Sequence, residues 1–310
     1  MSAVPSQPPV GDGRTRVNLD ELIALRARVA RSALVPTESH AARAGQQSSR
    51  LYGRGMDYAE SRAYQAGDDV RRLDWRLTAR SGKLHTKLFQ EEREGRLLVL
   101  LDRHPGMRFG TRARFKSVQA ARVAALAAWH AVRAGERVGL MAFGGSRYLL
   151  QPRGGVRGAL AACGALAEWD GQSGEGDEAL SDALQRARRL QHGASRVLLV
   201  SDGWSCDDAT RGRLLDLARR AALYVMVVAD ALELALPPPG RYPLEHAGEQ
   251  REVVLVAERE RREFQAGIGA GPARLQSVAR SLALPLQCID TATDPADAVA
   301  TLLRTRGGRR

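Results

Sequence analysis

Two hydrophobic segments, each ending in an aspartate, constrain the fold of this chain more than any other feature. The first run, LLVLLD, occupies residues 97–102, and the second, SRVLLVSD, occupies residues 195–202. A strand that is apolar on both faces is typical of the centre of a parallel sheet covered by helices. Further strands are predicted at 137–143, 223–230, 251–256 and 284–290. Helical segments alternate with these strands, which predicts a doubly wound, mostly parallel α/β sheet with right-handed crossovers.

One edge of the predicted sheet is antiparallel. Only Gly144, Gly145 and Ser146 separate the strand at 137–143 from a second segment at 147–151. Such a short connection permits only a hairpin, because parallel strands need a longer crossover. Beyond PPPG at 237–240, which interrupts regular secondary structure, a long helix is predicted over 258–282.

Composition divides the chain into four parts. Residues 1–16 are rich in Pro, Gly and Ser, which indicates a disordered tail. Residues 17–96 indicate an N-terminal helix followed by a small β-rich module, because this stretch is dense in charge and its apolar runs are short. The main domain spans 97–304, and residues 305–310 form a basic tail. Neither a signal peptide nor a transmembrane helix is indicated, so we expect a cytoplasmic protein.

The positive charge of the chain is concentrated in its first half. The net charge is +12, and residues 97–157 hold 11 Lys and Arg against 2 Asp and Glu. Because Arg far exceeds Lys, one interpretation is the codon bias of a high-GC genome. The other is an acidic partner, either a protein face, nucleic acid or anionic lipid.

Asp102 and Asp202 end the two apolar runs, at the edge where open parallel sheets bind their ligands. Neighbouring strands lie about 4.8 Å apart, and two carboxylates at that spacing repel each other by about 3 kcal/mol at an effective dielectric of about 20. A cation, a protonated partner, a nearby arginine or backbone N–H groups must offset this repulsion. The alternative is that Asp202 only caps a helix or turn.

The segment RAYQAGDDVRRLDW at residues 62–75 resembles a known family. With Ala79-Arg80, GERVGL at 135–140 and SDG at 201–203, it resembles the domain-of-unknown-function family 58. Members of that family are often encoded beside MoxR-type AAA+ ATPases and resemble von Willebrand factor A domains. The resemblance extends over residues 17–304. It implies a von Willebrand factor A-like fold and an interaction function with a MoxR-type AAA+ ATPase as partner, in the assembly or maturation of protein complexes.

The resemblance also implies a metal-ion-dependent adhesion site at the top of the sheet. Its DxSxS motif begins at Asp102, but His104 and Gly106 replace the two serines. Glu178 falls at the threonine position, and Asp202 falls at that of the last aspartate. Two of the five positions therefore match, so the site is degenerate. Three acidic side chains with His104 would suit Zn²⁺ or Mn²⁺ better than Mg²⁺.

A metal-free alternative is also consistent with the sequence. In that case Arg103, Arg108 or Arg112 neutralises the two aspartates. We expect this alternative, and therefore no resident cofactor, with a divalent cation (Mg, Mn or Zn) at Asp102 and Asp202 as the competing hypothesis.

The family-like segment supplies a second set of candidate residues, which are charged apart from one tryptophan. They are Asp68, Asp69, Arg71, Arg72, Asp74, Trp75 and Arg80. One interpretation is a charge lattice that docks the module on the main domain. The other is a contact face for the ATPase, with Trp75 as its aromatic anchor.

Sequence signals of catalysis are weak. The chain has no P-loop, HExxH or GxSxG motif, its six histidines lack ligand spacing, and its three cysteines form no CxxC pair. We therefore predict an interaction protein that is not an enzyme. Two alternatives stay open: nucleic-acid or other polyanion binding through residues 97–157, and metal-dependent hydrolysis by Asp102, Glu178 and Asp202.

Overall fold

The computed structural model describes residues 11–32, 46–48, 56–65, 68–172, 176–190, 196–246 and 249–304. The chain forms two compact units, one of Met1–Glu38 with Arg96–Arg310 and one of Ser39–Gly95. The end of the small unit coincides with the boundary predicted after residue 96 to within one residue. The N-terminal helical segment groups with the large unit, whereas the sequence analysis placed it with the β-rich module.

Residues 11–16, predicted as part of a disordered tail, form a turn that Asp12 holds. Its carboxylate accepts hydrogen bonds from the backbone N–H groups of Arg14, Thr15 and Arg16 at 2.9, 2.8 and 2.9 Å. Aspartate stabilises such turns because its short side chain reaches the following backbone amides. The rest of the two predicted tails, residues 1–10 and 305–310, lies outside the described residues.

The helices and strands alternate along most of the chain, as the sequence predicts. The helices are α1 (Leu19–Ala24), α2 (Arg26–Ser32), α3 (Trp75–Ser81), α4 (Lys116–Arg133), α5 (Gly155–Asp170), α6 (Leu180–Leu190), α7 (Thr210–Ala218), α8 (Ala231–Leu234), α9 (Glu258–Ile268), α10 (Ala270–Ser281) and α11 (Ala296–Arg304). The strands are β1 (Gln46–Ser48), β2 (Met56–Ala63), β3 (His85–Glu94), β4 (Arg96–Asp102), β5 (Arg137–Phe143), β6 (Leu149–Arg153), β7 (Arg196–Ser201), β8 (Ala222–Ala229), β9 (Gly240–His246), β10 (Glu249–Leu255) and β11 (Leu286–Asp290).

The large unit is built on a sheet of six strands in the order β11-β8-β7-β4-β5-β6. Every pairing in it is parallel except that of β6, which is antiparallel to β5 as the short connection predicts. Counted along the chain, this is the 3-2-1-4-5-6 order of doubly wound folds, and the order reverses between β4 and β7. The predicted fold class, a doubly wound and mostly parallel α/β sheet, is confirmed.

Two apolar layers enclose this sheet, one on each face. Leu97, Val99 and Leu101 of β4 belong to the layer that contains α4, α5 and α11, while Leu98 and Leu100 belong to the layer that contains α6, α7 and α10. Successive side chains of a strand point to opposite faces, so a strand covered on both sides must be apolar throughout. In the described part of the chain, no helix combines the length and the apolar character needed to cross a membrane.

Two predicted elements differ from the structure. The segment predicted as a strand of the domain at 251–256 is β10, which pairs with β9 in a separate antiparallel hairpin and does not enter the large sheet. The helix predicted over 258–282 is divided into α9 and α10 at Gly269, where a Cβ atom would lie 2.5 Å from the backbone oxygen of Glu233. This close approach of two backbones requires glycine and interrupts the helix.

The small unit contains a three-stranded antiparallel sheet, in the order β1-β3-β2, and helix α3. Asp74 caps the start of α3 by accepting a hydrogen bond from the N–H of Leu77 at 3.1 Å. The helix ends at Gly82, whose φ of 69° is the left-handed conformation that terminates many helices.

Candidate functional site

The two aspartates that end the apolar runs lie on neighbouring strands, as predicted. β4 and β7 pair in parallel, with Leu101 opposite Val200, so Asp102 and Asp202 leave the sheet at the same edge. This edge is the point where the strand order reverses, which is where doubly wound sheets bind ligands. Both residues are buried, each with 1% of its surface exposed. Two adjacent buried carboxylates require compensation.

Asp102 is compensated by donors that lie close to it in the fold. His104 donates its backbone N–H to Asp102 Oδ1 at 3.0 Å, and its ring Nδ1 lies 2.7 Å from the same oxygen. The hydroxyl of Ser201 donates to Asp102 Oδ2 at 2.5 Å. Burial acts to lower the pKa of His104, but the hydrogen bond to Asp102 and its charge outweigh burial and raise that pKa above its ordinary value.

Asp202 is compensated by a lysine from the start of α4. Lys116 Nζ lies 2.7 Å from Asp202 Oδ2 and 2.7 Å from Glu233 Oε1, and 1% of the lysine surface is exposed. The ammonium group thus bridges two carboxylates in the interior. Burial acts to lower the pKa of Lys116, but the charges of Asp202 and Glu233 outweigh it and raise the pKa, which keeps the group cationic. Asp202 also accepts the backbone N–H of Trp204 at 3.0 Å, so it serves as a cap as well.

Arg103, one of the arginines predicted to neutralise the aspartates, points elsewhere. Its guanidinium donates to the backbone oxygens of Trp169 and Gln172 and stacks over the ring of Tyr148, with 5.3 Å between the guanidinium carbon and the ring centroid. Arg108 and Arg112 are exposed. The basic side chains that lie beside the aspartates are instead Lys116 and His104.

Glu178, predicted at the threonine position, forms its own ion pairs. Arg186 donates from Nε to Glu178 Oε1 at 3.1 Å and from Nη2 to Oε2 at 2.7 Å. Arg147 Nε lies 3.4 Å from Glu178 Oε1. The glutamate is therefore held by arginines and is not directed at Asp102 and Asp202.

A divalent cation does not fit the residues at this edge of the sheet. The ammonium of Lys116 already lies against Asp202, and a metal ion beside it would face a buried like charge. Asp102 has both oxygens engaged by His104 and Ser201. Among the residues that the structure describes, no group of three or more His, Cys, Asp or Glu side chains could hold a metal ion.

Two residues of the site, Lys116 and Glu233, were not predicted from the sequence, and Ser201 was noted only as part of the SDG motif. One signal was available for Lys116, because it is one of only three lysines among the 47 Lys and Arg residues. Glu233 had another, because it lies four residues after the end of β8, at the edge where β4 and β7 also end. Its capping box with Asp230 fixes it there, since Glu233 Oε2 accepts the backbone N–H of Asp230 at 2.7 Å.

The candidate residues of the small unit are largely engaged in local structure. Asp68 accepts a hydrogen bond from Arg62 at 2.7 Å, Asp69 accepts one from the backbone N–H of Arg71 at 3.0 Å, and Asp74 caps α3. Trp75 is exposed over 66% of its surface. The side chains of Arg71 and Arg80 are exposed, and that of Arg72 lies outside the described residues.

The fold and the site define a class of protein: a doubly wound α/β domain whose central acidic pair is neutralised by the chain's own cations. The family described as "Protein of unknown function DUF58" matches residues 60–272. Because the match covers well over half of the chain, the protein belongs to this family, as the sequence resemblance predicted.

Similar proteins include the uncharacterized protein Rv1480 of Mycobacterium tuberculosis H37Rv. It is 28% identical over 196 residues, and the match covers 63% of this chain. The chain spans about 62% of the length of that curated relative. Among solved structures, the conserved hypothetical protein BatB from Bacteroides thetaiotaomicron matches at 15% identity with a TM-score of 0.43, over 67% of this chain and 97% of BatB. The VWA domain of SpRpn10 matches at 13% identity with a TM-score of 0.37, over 70% of this chain and 98% of that domain.

Proposed function

We propose that this protein is a non-enzymatic interaction module of the cytoplasm that acts with a MoxR-type AAA+ ATPase in the assembly or maturation of protein complexes. The partner comes from the family resemblance, and fold alone does not fix a function. The observation that carries the proposal is the bridge from Lys116 to Asp202 and Glu233. It closes the ligand-binding edge of the sheet with internal ion pairs.

The internal hydrogen bonds of Asp102 and Asp202 support an interaction function over a catalytic role for these two aspartates. A carboxylate that acts as a general base must come within hydrogen-bonding reach of a substrate proton, and Asp102 and Asp202 are each only 1% exposed. Asp102 and Asp202 instead accept hydrogen bonds from His104, Ser201 and Lys116 at 2.5 to 2.7 Å. The hydrolase alternative also needs Glu178, which Arg186 holds.

The basic segment 97–157 supports polyanion binding less than its charge suggests. Several of its cations are used inside the fold: Lys116 is buried, Arg122 Nε lies 2.9 Å from Glu21 Oε1, and Arg137 donates to the backbone oxygen of Pro152. These three cations stabilise the domain and are not available to a polyanion. A nucleic-acid complex would lose affinity steeply as salt is raised, which a gel-shift series measures.

The test is capture of the purified MoxR-type ATPase by the immobilised 310-residue chain, with and without nucleotide. We expect wild-type protein to retain the ATPase and Trp75→Ala to weaken retention about tenfold or more, because exposed tryptophans are frequent anchors of interfaces. The matched control is Trp204→Ala, which removes a tryptophan that is 46% exposed in the large unit. Failure of the wild-type chain to retain the ATPase in either nucleotide state contradicts the proposal. Equal retention by Trp75→Ala contradicts the assignment of its contact face.

A further inference from the structure

The end of the large sheet where its parallel strands begin, which we call the amino edge, is rich in arginine. Arg96 lies opposite Arg137 across β4 and β5, and Arg196 of β7 lies opposite the second residue of β4. β6 runs in the other direction, so its last residue, Arg153, reaches the same edge. Four neighbouring strands therefore each place an arginine at the amino edge.

Helices add exposed arginines to this edge. α6 begins beside the loop that follows β7 and ends before β7 starts, so its last turn, with Arg188 and Arg189, lies at the amino edge. Arg220 lies between the end of α7 and the start of β8, and Arg157 lies in the first turn of α5, just after β6. With Arg153 these residues form a group of five, the amino-edge arginines.

Compensation of helix dipoles explains only part of this charge. The C-terminal end of a helix carries about half a negative charge, so α6 and α7 together offset about one of the three positive charges of Arg188, Arg189 and Arg220. Arg153 and Arg157 flank the N-terminal end of α5, where the dipole is itself positive. All five side chains are exposed, and no described residue forms a hydrogen bond or ion pair with any of them. They are therefore available to an anionic partner.

Acidic residues are scarce around the amino-edge arginines. In the helix ends and connections that the structure describes at this edge, they are Glu136, which is buried against Arg196, and Asp216, which lies 3.9 Å from Arg219. The central aspartates lie at the opposite edge of the sheet. The large unit is therefore polarised, with its positive charge concentrated at the amino edge.

An exposed apolar side chain accompanies each pair of arginines on the two sides of the sheet. Leu190 ends α6 directly after one pair and is 40% exposed, and Val156 lies between Arg153 and Arg157 and is 45% exposed. α6 and α5 belong to opposite apolar layers, so the two side chains flank the sheet on both faces. A bilayer surface accepts both kinds of residue, because cations bind its headgroups and apolar side chains enter the acyl boundary. Nucleic acids are instead held by cations together with aromatic rings that stack on bases.

We propose that the amino edge docks the protein on an anionic lipid bilayer, with the amino-edge arginines against the headgroups and with Leu190 and Val156 in the acyl boundary. The inference goes beyond the partnership with the ATPase and does not depend on it. Each cation close to an anionic membrane strengthens binding about fivefold, so five cations together contribute about a thousandfold.

The experiment is cosedimentation of the purified 310-residue chain with vesicles of phosphatidylcholine that contain about 30% phosphatidylglycerol, compared with vesicles of phosphatidylcholine alone. We expect binding to the anionic vesicles only, and release when NaCl is raised from about 0.1 M to about 0.5 M. Two double variants, Arg188→Gln with Arg189→Gln and Arg153→Gln with Arg157→Gln, should each weaken binding about 25-fold.

Matched controls change the same residue types at the opposite edge. Arg108→Gln with Arg112→Gln removes two exposed arginines between β4 and α4 and should bind within about twofold of wild type, because β4 separates the edges by about 20 Å, more than a Debye length. Leu190→Ser should weaken binding about threefold or more. Leu149→Ser changes a leucine of the same 40% exposure at the other end of β6 and should not. Circular dichroism melts verify that every variant folds.

Each outcome decides the proposal. No binding to the anionic vesicles, equal binding to both kinds of vesicle, or equal losses in the test and control arginine variants overturns it. Wild-type binding by Leu190→Ser contradicts the contact with the acyl boundary. A DNA duplex of about 20 base pairs, followed by fluorescence anisotropy at the same ionic strength, should bind more weakly than the anionic vesicles at equal phosphate concentration. Tighter binding of the duplex overturns the proposal in favour of a nucleic-acid partner.

Discussion

Replacing Lys116 with methionine tests the internal cation directly, because methionine keeps an unbranched side chain and removes the ammonium group. Asp202 and Glu233, with 1% and 4% of their surfaces exposed, then lose their shared partner. Removing one member of a buried ion pair costs about 3–5 kcal/mol. At about 2–4 °C for each kcal/mol in a domain of this size, we expect the Tm of Lys116→Met to lie about 6–20 °C below that of wild type at pH 7.5.

The same variant should recover stability when the pH is lowered. Burial is the main cause that raises the pKa of Asp202 and of Glu233 above their ordinary values. Without the ammonium the two pKa values rise further, so the folded variant binds more protons than the unfolded chain does. Its stability therefore falls as the pH rises through the folded pKa values and increases as the pH is lowered toward about 5.

Thermal melts followed by circular dichroism at pH 7.5 and pH 5 measure both effects. The control is Lys83→Met, which removes an exposed lysine and should change stability by no more than about 0.5 kcal/mol. A Tm of Lys116→Met equal to that of wild type at pH 7.5 contradicts the role of the lysine. A Tm deficit of the same size at both pH values contradicts the explanation by uncompensated carboxylates.

Two further predictions concern His130 and Gly144. Burial is the main cause that lowers the pKa of His130 from 6.5 to about 4. The folded protein therefore favours the neutral imidazole, and this preference contributes to stability above pH 6.5. The contribution is about 3 kcal/mol, at 1.36 kcal/mol per pKa unit, and it is lost as the pH falls to 4. Urea unfolding between pH 6.5 and pH 4 should show that His130→Gln loses less unfolding free energy than wild type as the pH falls. An identical loss in the two proteins contradicts the role given to His130. Gly144 has a φ of 93°, and a Cβ there would lie 2.6 Å from the backbone nitrogen of His104. Gly144→Ala should therefore lower the free energy of unfolding by at least about 2 kcal/mol. Gly212→Ala, where a Cβ meets nothing within 4 Å in helix α7, should instead stabilise by up to about 1 kcal/mol, and equal effects of the two alanines contradict this reasoning.

The fold could be predicted because its strongest constraint is local in the sequence. Residues 97–102 and 195–202 are apolar on both faces, and only a parallel strand between two helical layers buries both. The hairpin of β9 and β10 could not be predicted in the same way. Val253, Val254 and Leu255 form an apolar run like that of a buried strand, but Val254 is 49% exposed. Its partner strand β9 begins at Gly240, the last residue of PPPG, and contains Pro243. The two strands pair with each other in a separate two-stranded sheet.

The position of the two aspartates could be predicted from the sequence, but the residues that neutralise them could not. Asp102 and Asp202 follow from the ends of β4 and β7, because parallel strands end at one edge. The identity of the compensating cation depends on contacts between residues far apart, since Lys116 precedes Asp202 by 86 residues and Glu233 by 117. The rarity of lysine in this chain draws attention to Lys116, but nothing in the local pattern indicates which residues it contacts. Only the packing of α4 against the sheet directs its ammonium into the space between the carboxylates.

The measurement that tests the central claim most directly is calorimetric titration of metal-free wild-type protein with Mg²⁺, Mn²⁺ and Zn²⁺. If Lys116 is the resident cation of this edge, wild type gives no one-to-one binding at micromolar metal, and Lys116→Ala, which frees Asp202 and Glu233, gains affinity for a divalent ion. One-to-one binding of a divalent ion by the wild-type chain at micromolar concentration, abolished in Asp202→Asn, would contradict the account.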